Sequence, residues 1–588
     1  MIRRLCFRFS FFLFLFYSVV SFCGEKDFSV NDFSSDELVY REISSRIILG
    51  DFRGALDQVL SAIKERPESF LLQKALVKVY ASENKDKSAI KAWKDCVKKF
   101  PEYWDEEEAL LEEVAWSVIK RGAESSSSLS VRLHALIAAI LVRDAYSVEI
   151  VREAMRSSNS LLRSMALQLS YAFRDWEIQE EILRLLRDPV WHVRLEAIKA
   201  AGRLQIVEAL KNIENIISDE RSDFEEKSAA VGSMLAICKT IPSANIEYLS
   251  SSKRFGLRLL VCELVAFLDL RETLPRIQSL QEDAHAQVRA SVWKANGLLR
   301  GDILPISSFE ILSDPDPIVS AAAAWFLVIS GKMEAKKAFS FIISHNDPKV
   351  RNLASAALAA TGKYGINYMK ELFDEADDLY VKANLGIGLL GQQVYLEAVC
   401  DAFFSLLEEE KGRLMFSDYV NGLFRAIDRS EIRQVEGLEN YPEAVNQMVR
   451  LEILHALAIT SYPKAVQALR DFLKRKNWEV TGLAAELLLK EGDESIFDLM
   501  RSLCKEEDPQ IRVQAALALS IWAKDQSFIG TLQNSYQEAD RDLKAKILEA
   551  LGYVGGKKSI PFLVEKLEEP FQTLRIIAAS SIVRSINH

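Results

Sequence analysis

Histidine, cysteine and a glycine–lysine run are the residues of this chain suited to metal, thiol or phosphate chemistry, and their spacing denies all three. The histidines stand at His134, His192, His285, His345, His455 and His588. A metal centre needs ligands that converge, as two His one helical turn apart or a C-x2-C pair do. No HExxH and no CxxC occurs, and beyond the first 24 residues the cysteines are scattered at Cys96, Cys238, Cys262, Cys400 and Cys504. The run Gly552-Tyr-Val-Gly-Gly-Lys-Lys-Ser559 has the composition of a phosphate loop. Leu551 stands where the first glycine is needed, however, and the stretch before it is helical in pattern where a strand is required. No serine sits in a G-x-S-x-G elbow. No metal, no cofactor and no catalytic residue is therefore expected, and the expected activity is binding.

The elements that would carry a binding surface are set by a periodicity. Arg132, Arg163, Arg194, Lys227, Arg258, Arg289, Ser320, Arg351, Lys382, Arg413, Arg450, Thr481, Arg512, Lys544 and Arg575 recur in one local setting, and most steps between them are 31 residues. Relative to each anchor, apolar residues fall at −1 (Val131, Val193, Val288) and +7 (Ala201, Met234, Leu551), with alanine at +3 (Ala135, Ala197, Ala354). Those offsets share one helical face, so each anchor opens an amphipathic helix. Before it lies an acidic turn such as Asp188-Pro189, Asp347-Pro348 or Asp508-Pro509. Asp there caps the free amides, and proline is tolerated in the first turn. Glycines at 202, 297, 331, 362 and 552 are expected to end helices. A second apolar-periodic stretch precedes each turn, so the unit is helix, acidic turn, helix, loop, and a fixed period of this kind predicts stacked units with a continuous core.

The segments DPVWHVRLEAIKAAGRL (188–204), DPKVRNLASAALAATG (347–362) and DPQIRVQAALALS (508–520) resemble HEAT-like repeats of the phycobilisome-lyase type. The resemblance covers residues 125–588, about 15 repeats, and implies an all-α solenoid superhelix whose anchor helices line the concave face. Two positions, Ser320 and Thr481, lack the basic anchor, and the step from Arg413 to Arg450 holds six extra residues, placed within 427–444. Residues 36–121 follow another period. GDFRGALDQVLSAIKERPE (50–68) and NKDKSAIKAWKDCVKKFPE (84–102) align at an offset of 34, pairing Ala55 with Ala89, Val59 with Trp93 and Pro67 with Pro101. This resembles tetratricopeptide repeats, expected to stack on the larger array, with Glu124–Ser128 as the seam.

Residues 1–24 read as a signal peptide: Arg3, Arg4 and Arg8 precede an apolar stretch, Phe9–Val20. Export to a bacterial periplasm or envelope is the expectation. Cys23 is the residue an acyl chain would take, although Phe22 before it fits that signal poorly. Membrane contact is expected only if Cys23 is acylated or the signal is retained. Cys238 and Cys262 fall in successive repeats and are open to two readings, a disulfide or buried free thiols.

Without residues 1–24 the chain holds 71 basic against 84 acidic residues. That balance, with no Lys/Arg run, excludes the basic stripe that nucleic acid requires. Partners are expected to be protein or peptide. The recurring acidic turns would form a negative ridge that steers a basic partner. Candidate contacts are the variable +5 residues, Lys199, Glu263, Lys294, Trp325, His455, Glu486 and Glu549, together with Trp191 and Trp478 near helix starts. Trp293 and Trp325 lie in adjacent repeats and are read as core residues that also come close enough to stack. The function expected is that of a non-enzymatic exported scaffold. The alternative implied by the resemblance is an enzyme or enzyme subunit of bilin-lyase-like type.

Overall fold

The computed structural model describes residues 35–588 except 104–107, 220, 239–241, 300–313, 332–334, 410–413, 418–424, 429–449, 452, 459, 461, 475–477, 491–493 and 588. Leu129–Val142, Ser160–Leu169, Trp191–Arg203 and their successors down to Gln572–Ile586 are anchor helices, each joined to a shorter helix that precedes it in its repeat. The stripe expected from the sequence is buried: Val193, Val288 and Val381 at −1, Ala135, Ala197 and Ala354 at +3, Met234, Leu457 and Leu551 at +7. Asp316, Asp347, Asp378, Asp508 and Asp540 cap their helices by accepting amide hydrogens, with proline in the first turn after Asp316, Asp347 and Asp508.

The anchor arginine links one repeat to the next. Arg163 donates from Nε and Nη2 to both oxygens of Asp188, at 2.9 and 2.8 Å, and from Nη1 to the Ser157 carbonyl in its own turn. Arg289 does the same with Asp314 and the Asp283 carbonyl. Arg258 bonds Asp283, and Arg351 bonds Asp378. Each aspartate also accepts the amide two residues on, at Val190, His285, Asp316 and Tyr380. Charge-assisted, two-pronged bonds of this kind fix register. The acidic turn is thus a rung of an internal ladder.

Neighbouring anchor helices approach closely enough to need small residues. A Cβ on Gly202 would lie 2.7 Å from the Ser233 Cα, and one on Gly552 would lie 2.8 Å from the Ser581 Cα. Both serines then donate to a carbonyl of the helix before, Ile198 and Leu548, at 2.7 and 2.8 Å. Gly202, Gly297 and Gly552 accordingly sit inside helices and do not end them; Gly331 and Gly362, with φ of 69° and 59°, lie just past helix ends as expected.

Three further expectations are corrected. No helix follows position 413: Leu414–Ser417 is a strand (β1) paired antiparallel with Arg425–Asp428 (β2). Among the described residues the interval from Lys382 to Arg450 holds this strand pair where an anchor helix was expected, and the described residues contain fourteen anchor helices. The coincidence of a basic residue 31 positions on had masked this. Glu124–Ser128 is not a seam between domains, because it joins Glu108–Ala123 to Leu129–Val142 within the first repeat.

The superhelix is closed. Gln572–Ile586 packs against both Glu108–Ala123 and Leu129–Val142, and a Cβ on Gly122 would meet Ile576 and Ala135 at 2.5 and 3.4 Å. One buried cluster spans the junction, from Trp116, Ile119 and Ala135 to Leu551, Leu574 and Val583. Lys94 bonds Glu568 at 2.6 Å, Lys557 bonds Glu108 at 2.8 Å and Asn587 bonds Glu112 at 3.3 Å. Fourteen helices spaced about 9 Å apart make a circle about 40 Å across the helix axes. The anchor helices form its inner layer, since they pack tightly on one another while the first helices of successive repeats touch less. The two N-terminal helical hairpins, Ser35–Ile48 with Phe52–Glu65 and Phe70–Ser82 with Asp86–Lys99, bury Ala55, Val59, Ala89 and Trp93, and the second docks at the junction.

Carbodiimide treatment at high dilution is expected to join Lys94 to Glu568 and Lys557 to Glu108 within single chains, detected by peptide mass spectrometry; an open superhelix gives neither link. Arg163→Met strands the buried Asp188 carboxylate and is expected to cost about 3 kcal/mol in urea unfolding, whereas Arg271→Met, at an exposed pair, leaves the midpoint unchanged. Asp283 is held below the usual carboxylate range chiefly by its bond from Arg258, against the opposing effect of burial. At Asp188 and Asp314 burial acts upward but is outweighed by the arginine bonds and the turn amides. A folded pKa below the unfolded value of about 3.9 stabilises above that pH and is lost as pH falls through the folded value. The thermal midpoint should therefore drop below about pH 4, and less steeply in Asp283→Asn. Gly202→Ala is expected to destabilise by about 1–3 kcal/mol through overpacking. Gly232→Ala, a helical position with no atom within 4 Å of the added carbon, should stabilise by about 0.8 kcal/mol in the same assay.

Candidate functional site

On an anchor helix, position +5 lies about 120° round from the residue at −1 and about 160° from those at +3 and +7, so it faces the interior of the ring. Lys199 and Glu263 stand exposed there, and Lys294, His455, Glu486 and Glu549 are half-buried. Lys199 bonds Glu196 on its own helix at 2.9 Å. Trp325 departs from the expectation, because it is only 8% exposed and its ring covers Gly297 of the preceding helix. A glycine one repeat earlier makes the space, so the indole packs into the core. Trp293 faces Phe326 at 5.6 Å, so these aromatics are packing residues, in line with the core reading of the pair. Trp191 is 49% exposed at the rim of the ring. Trp478 starts Trp478–Lys490, but its side chain, like Cys23 and His588, lies outside the described residues.

Closure brings together side chains that the sequence keeps far apart. Glu549 is pushed up by burial, an effect opposed by the nearby charges of Arg584, His134 and Lys546. These four come from the first repeat and the last two. Arg584 stacks on Tyr553 at 3.7 Å. No spacing rule could have placed His134 beside Glu549.

The insertion occupies the same interior surface. Strand β2 packs on Pro348–Ala359 and Leu379–Gly391, both anchor helices. Asn384 Oδ1 accepts the Ala426 amide at 2.6 Å, while its Nδ2 donates to Asn352 Oδ1 and Ser355 Oγ at 2.9 and 3.1 Å. Asn352, Ser355, Asn384 and Ala426 are all buried. The floor of the ring thus holds a length of extended chain through a side-chain bond to its backbone. The sequence signal was available, since two asparagines in adjacent repeats occupy +1 and +2, where apolar or small residues are usual. The remainder of the 427–444 insertion lies outside the described residues.

A second feature that the sequence did not announce is a cavity of about 260 Å³ where the N-terminal hairpins meet the ring. Ile47, Ile48, Lys78, Glu113, Trp116, Lys120 and Tyr146 are among its lining residues. Lys78 bonds Glu113 at 3.2 Å, and the Lys120 ammonium lies 3.5 Å from the Tyr146 ring centroid. Burial draws the Lys120 pKa below the ordinary lysine value.

Among the described residues no disulfide forms: Cys96, Cys262 and Cys400 are buried, Cys238 is exposed, and Cys238 and Cys262 do not pair. Burial raises the Cys262 thiol to about 12. Among the described residues no group of three or more His, Cys, Asp and Glu is placed to hold a metal ion. The acidic ridge is largely internal, since the carboxylates of Asp188, Asp283, Asp314 and Asp378 are occupied by arginine. Exposed acid remains in Asp347, Asp377, Glu506 and Glu507; the side chains of Glu408–Glu410 lie outside the described residues.

The 31-residue helix–turn–helix unit, its Asp-Pro turn and its arginine ladder decide the class. The chain is a HEAT-like repeat protein. No family model matches the sequence, and no curated protein matches it significantly. Among solved structures, Kap95p in a complex with RanGDP is similar at 12% identity, over 92% of this chain and 81% of that one, with a TM-score of 0.36. The C. elegans myosin chaperone UNC-45 in complex with an Hsp70 peptide is similar at 11% identity, over 94% and 82%, with a TM-score of 0.36. The CpcE–CpcF complex of phycocyanin lyase from Nostoc sp. PCC7120 is similar at 16% identity, over 45% and 94%, with a TM-score of 0.21. These likenesses pair one helical repeat array with another and carry no functional argument.

Asn384→Leu is expected to release β2: the Ala426 amide should exchange with deuterium at least ~10-fold faster, while amides of Leu129–Val142 keep their protection.

Proposed function

We propose that this HEAT-like array is a non-enzymatic scaffold that binds a protein or peptide segment on its interior face. The observation that carries the reading is the seating of β2, in which Asn384 takes the Ala426 amide on the floor formed by two anchor helices. An extended segment from a partner would meet the same chemistry at neighbouring repeats: a side chain for the backbone, and varied +5 residues such as Lys199 and Glu263 for specificity. The exposed acid of the turns adds a preference for a basic segment. Export across a bacterial membrane belongs to the same proposal and is supported by Arg3, Arg4 and Arg8 ahead of the apolar stretch Phe9–Val20.

Photo-crosslinking amino acids placed at 199 and 263 are expected to capture discrete partner proteins in the native cell, and the same group at Lys211, on the outer layer, to capture none of them. Protease added to intact and then permeabilised cells reads the compartment in the same samples. Equal labelling from inner and outer positions would rule out an interior binding face.

A further inference from the structure

The anchor helices run parallel around the ring, so all their C-terminal ends emerge on one edge, opposite the acidic turns. Through the first six repeats that edge carries isolated bulky side chains held out into solvent. Phe267 is 81% exposed, Trp176 and Val207 are each 63% exposed, and Leu298 is exposed on the repeat after Phe267. Cations alternate with them: Arg174 lies two residues before Trp176 and Arg276 nine after Phe267, both exposed, and Arg203, four before Val207, is exposed although it pairs with Glu196 at 3.8 Å. Acid is present too, but much of it is engaged. Asp175 caps the helix that begins at Trp176, and Asp269 bonds Arg271 at 2.9 Å, leaving Glu208 and Glu272 exposed.

We propose that this edge docks the ring on the surface of an anionic lipid bilayer. Trp176, Val207, Phe267 and Leu298 project from separate repeats about 10 Å apart and do not form a shared cleft. A protein interface buries a contiguous patch of about 800 Å² per partner, whereas a lipid interface accepts each side chain singly at headgroup level and pairs each neighbouring arginine with phosphate. A row of separate side chains, one to a repeat, suits an extended surface. The opposite edge keeps exposed acid only where the turns are not occupied by arginine, as at Asp347, Asp377, Glu506 and Glu507, and the same surface would repel those groups. The sequence supplies a second argument. The apolar stretch ends at Val20 and the first described helix starts at Ser35, and the fourteen residues between reach at most about 50 Å when extended. A chain held at a membrane by that stretch therefore keeps the ring within contact distance.

The test is co-sedimentation of the full chain with vesicles of phosphatidylcholine alone and of phosphatidylcholine mixed with phosphatidylglycerol. Binding is expected to be much stronger to the mixed vesicles. The pair Arg174→Glu with Arg276→Glu should lower that partition at least ~25-fold, taking about fivefold per cation. Trp176→Ser with Phe267→Ser should lower it on both vesicle types. Trp191→Ser with Phe255→Ser, exposed apolar residues at the opposite edge, should leave it unchanged. All variants should keep the parent's helical spectrum and melting midpoint. The proposal is overturned if both edges matter equally, or if phosphatidylglycerol makes no difference. It is also overturned if substitution of the edge leaves binding intact, which would assign all of it to the N-terminal apolar stretch. Binding of polyglutamate through the same arginines, with no binding to vesicles, would overturn it in favour of an acidic protein partner.

Discussion

A stacked repeat always leaves an apolar flank for its successor, so any linear array ends with two flanks facing water. Here the two ends cover each other. Ile576 and Ala135 close on Gly122 within one buried cluster that also holds Ala578, and the hairpins at the N-terminus lie over the join. Closure constrains everything else. The inner layer must shorten relative to the outer, which brings anchor helices to distances that only Gly202, Gly552 and small partners tolerate. It also gathers Glu549, His134 and Arg584 at one place on the interior.

The arginine ladder answers the register problem that such tight stacking creates. Alanine-rich helix faces are smooth and slide easily. A bidentate bond from Arg163 to Asp188, with the third donor on the Ser157 carbonyl, allows one register only. Burying the pair costs desolvation energy, so its contribution lies in specifying the stacking more than in net stability. Where the rung is lost, neutral groups stand in: Thr481 Oγ1 bonds Gln514 Oε1 at 3.1 Å.

Much of this was legible in the sequence, and for physical reasons. A helix facing a neighbour must repeat its apolar offsets, so the stripe at −1, +3 and +7 could be read residue by residue, as could the Asp-Pro caps. Closure could not be read, because the apolar faces that meet at Gly122 and Ile576 are of the same kind as those that meet between neighbouring repeats. Arg413 misled because a basic residue fell on the period by chance, and only the strand after it reveals the insertion. Trp325 looked like a groove residue by its offset alone, and its burial depends on Gly297 in the helix before. The interior site was half-legible: the +5 positions followed from helix geometry, whereas the seat for β2 depends on where an insertion chooses to fold back.

Mutually complementary ends have a consequence for assembly. The junction joins the most distant parts of the chain, so its loop closes after the local hairpins have formed. Until then each molecule presents a head that fits any other molecule's tail. Such a contact is heterologous, and it closes on itself only when both halves belong to the same chain. Newly made protein therefore chooses between a monomeric circle and an open polymer of the identical interface. Concentration during folding decides between them, and dilution favours the circle.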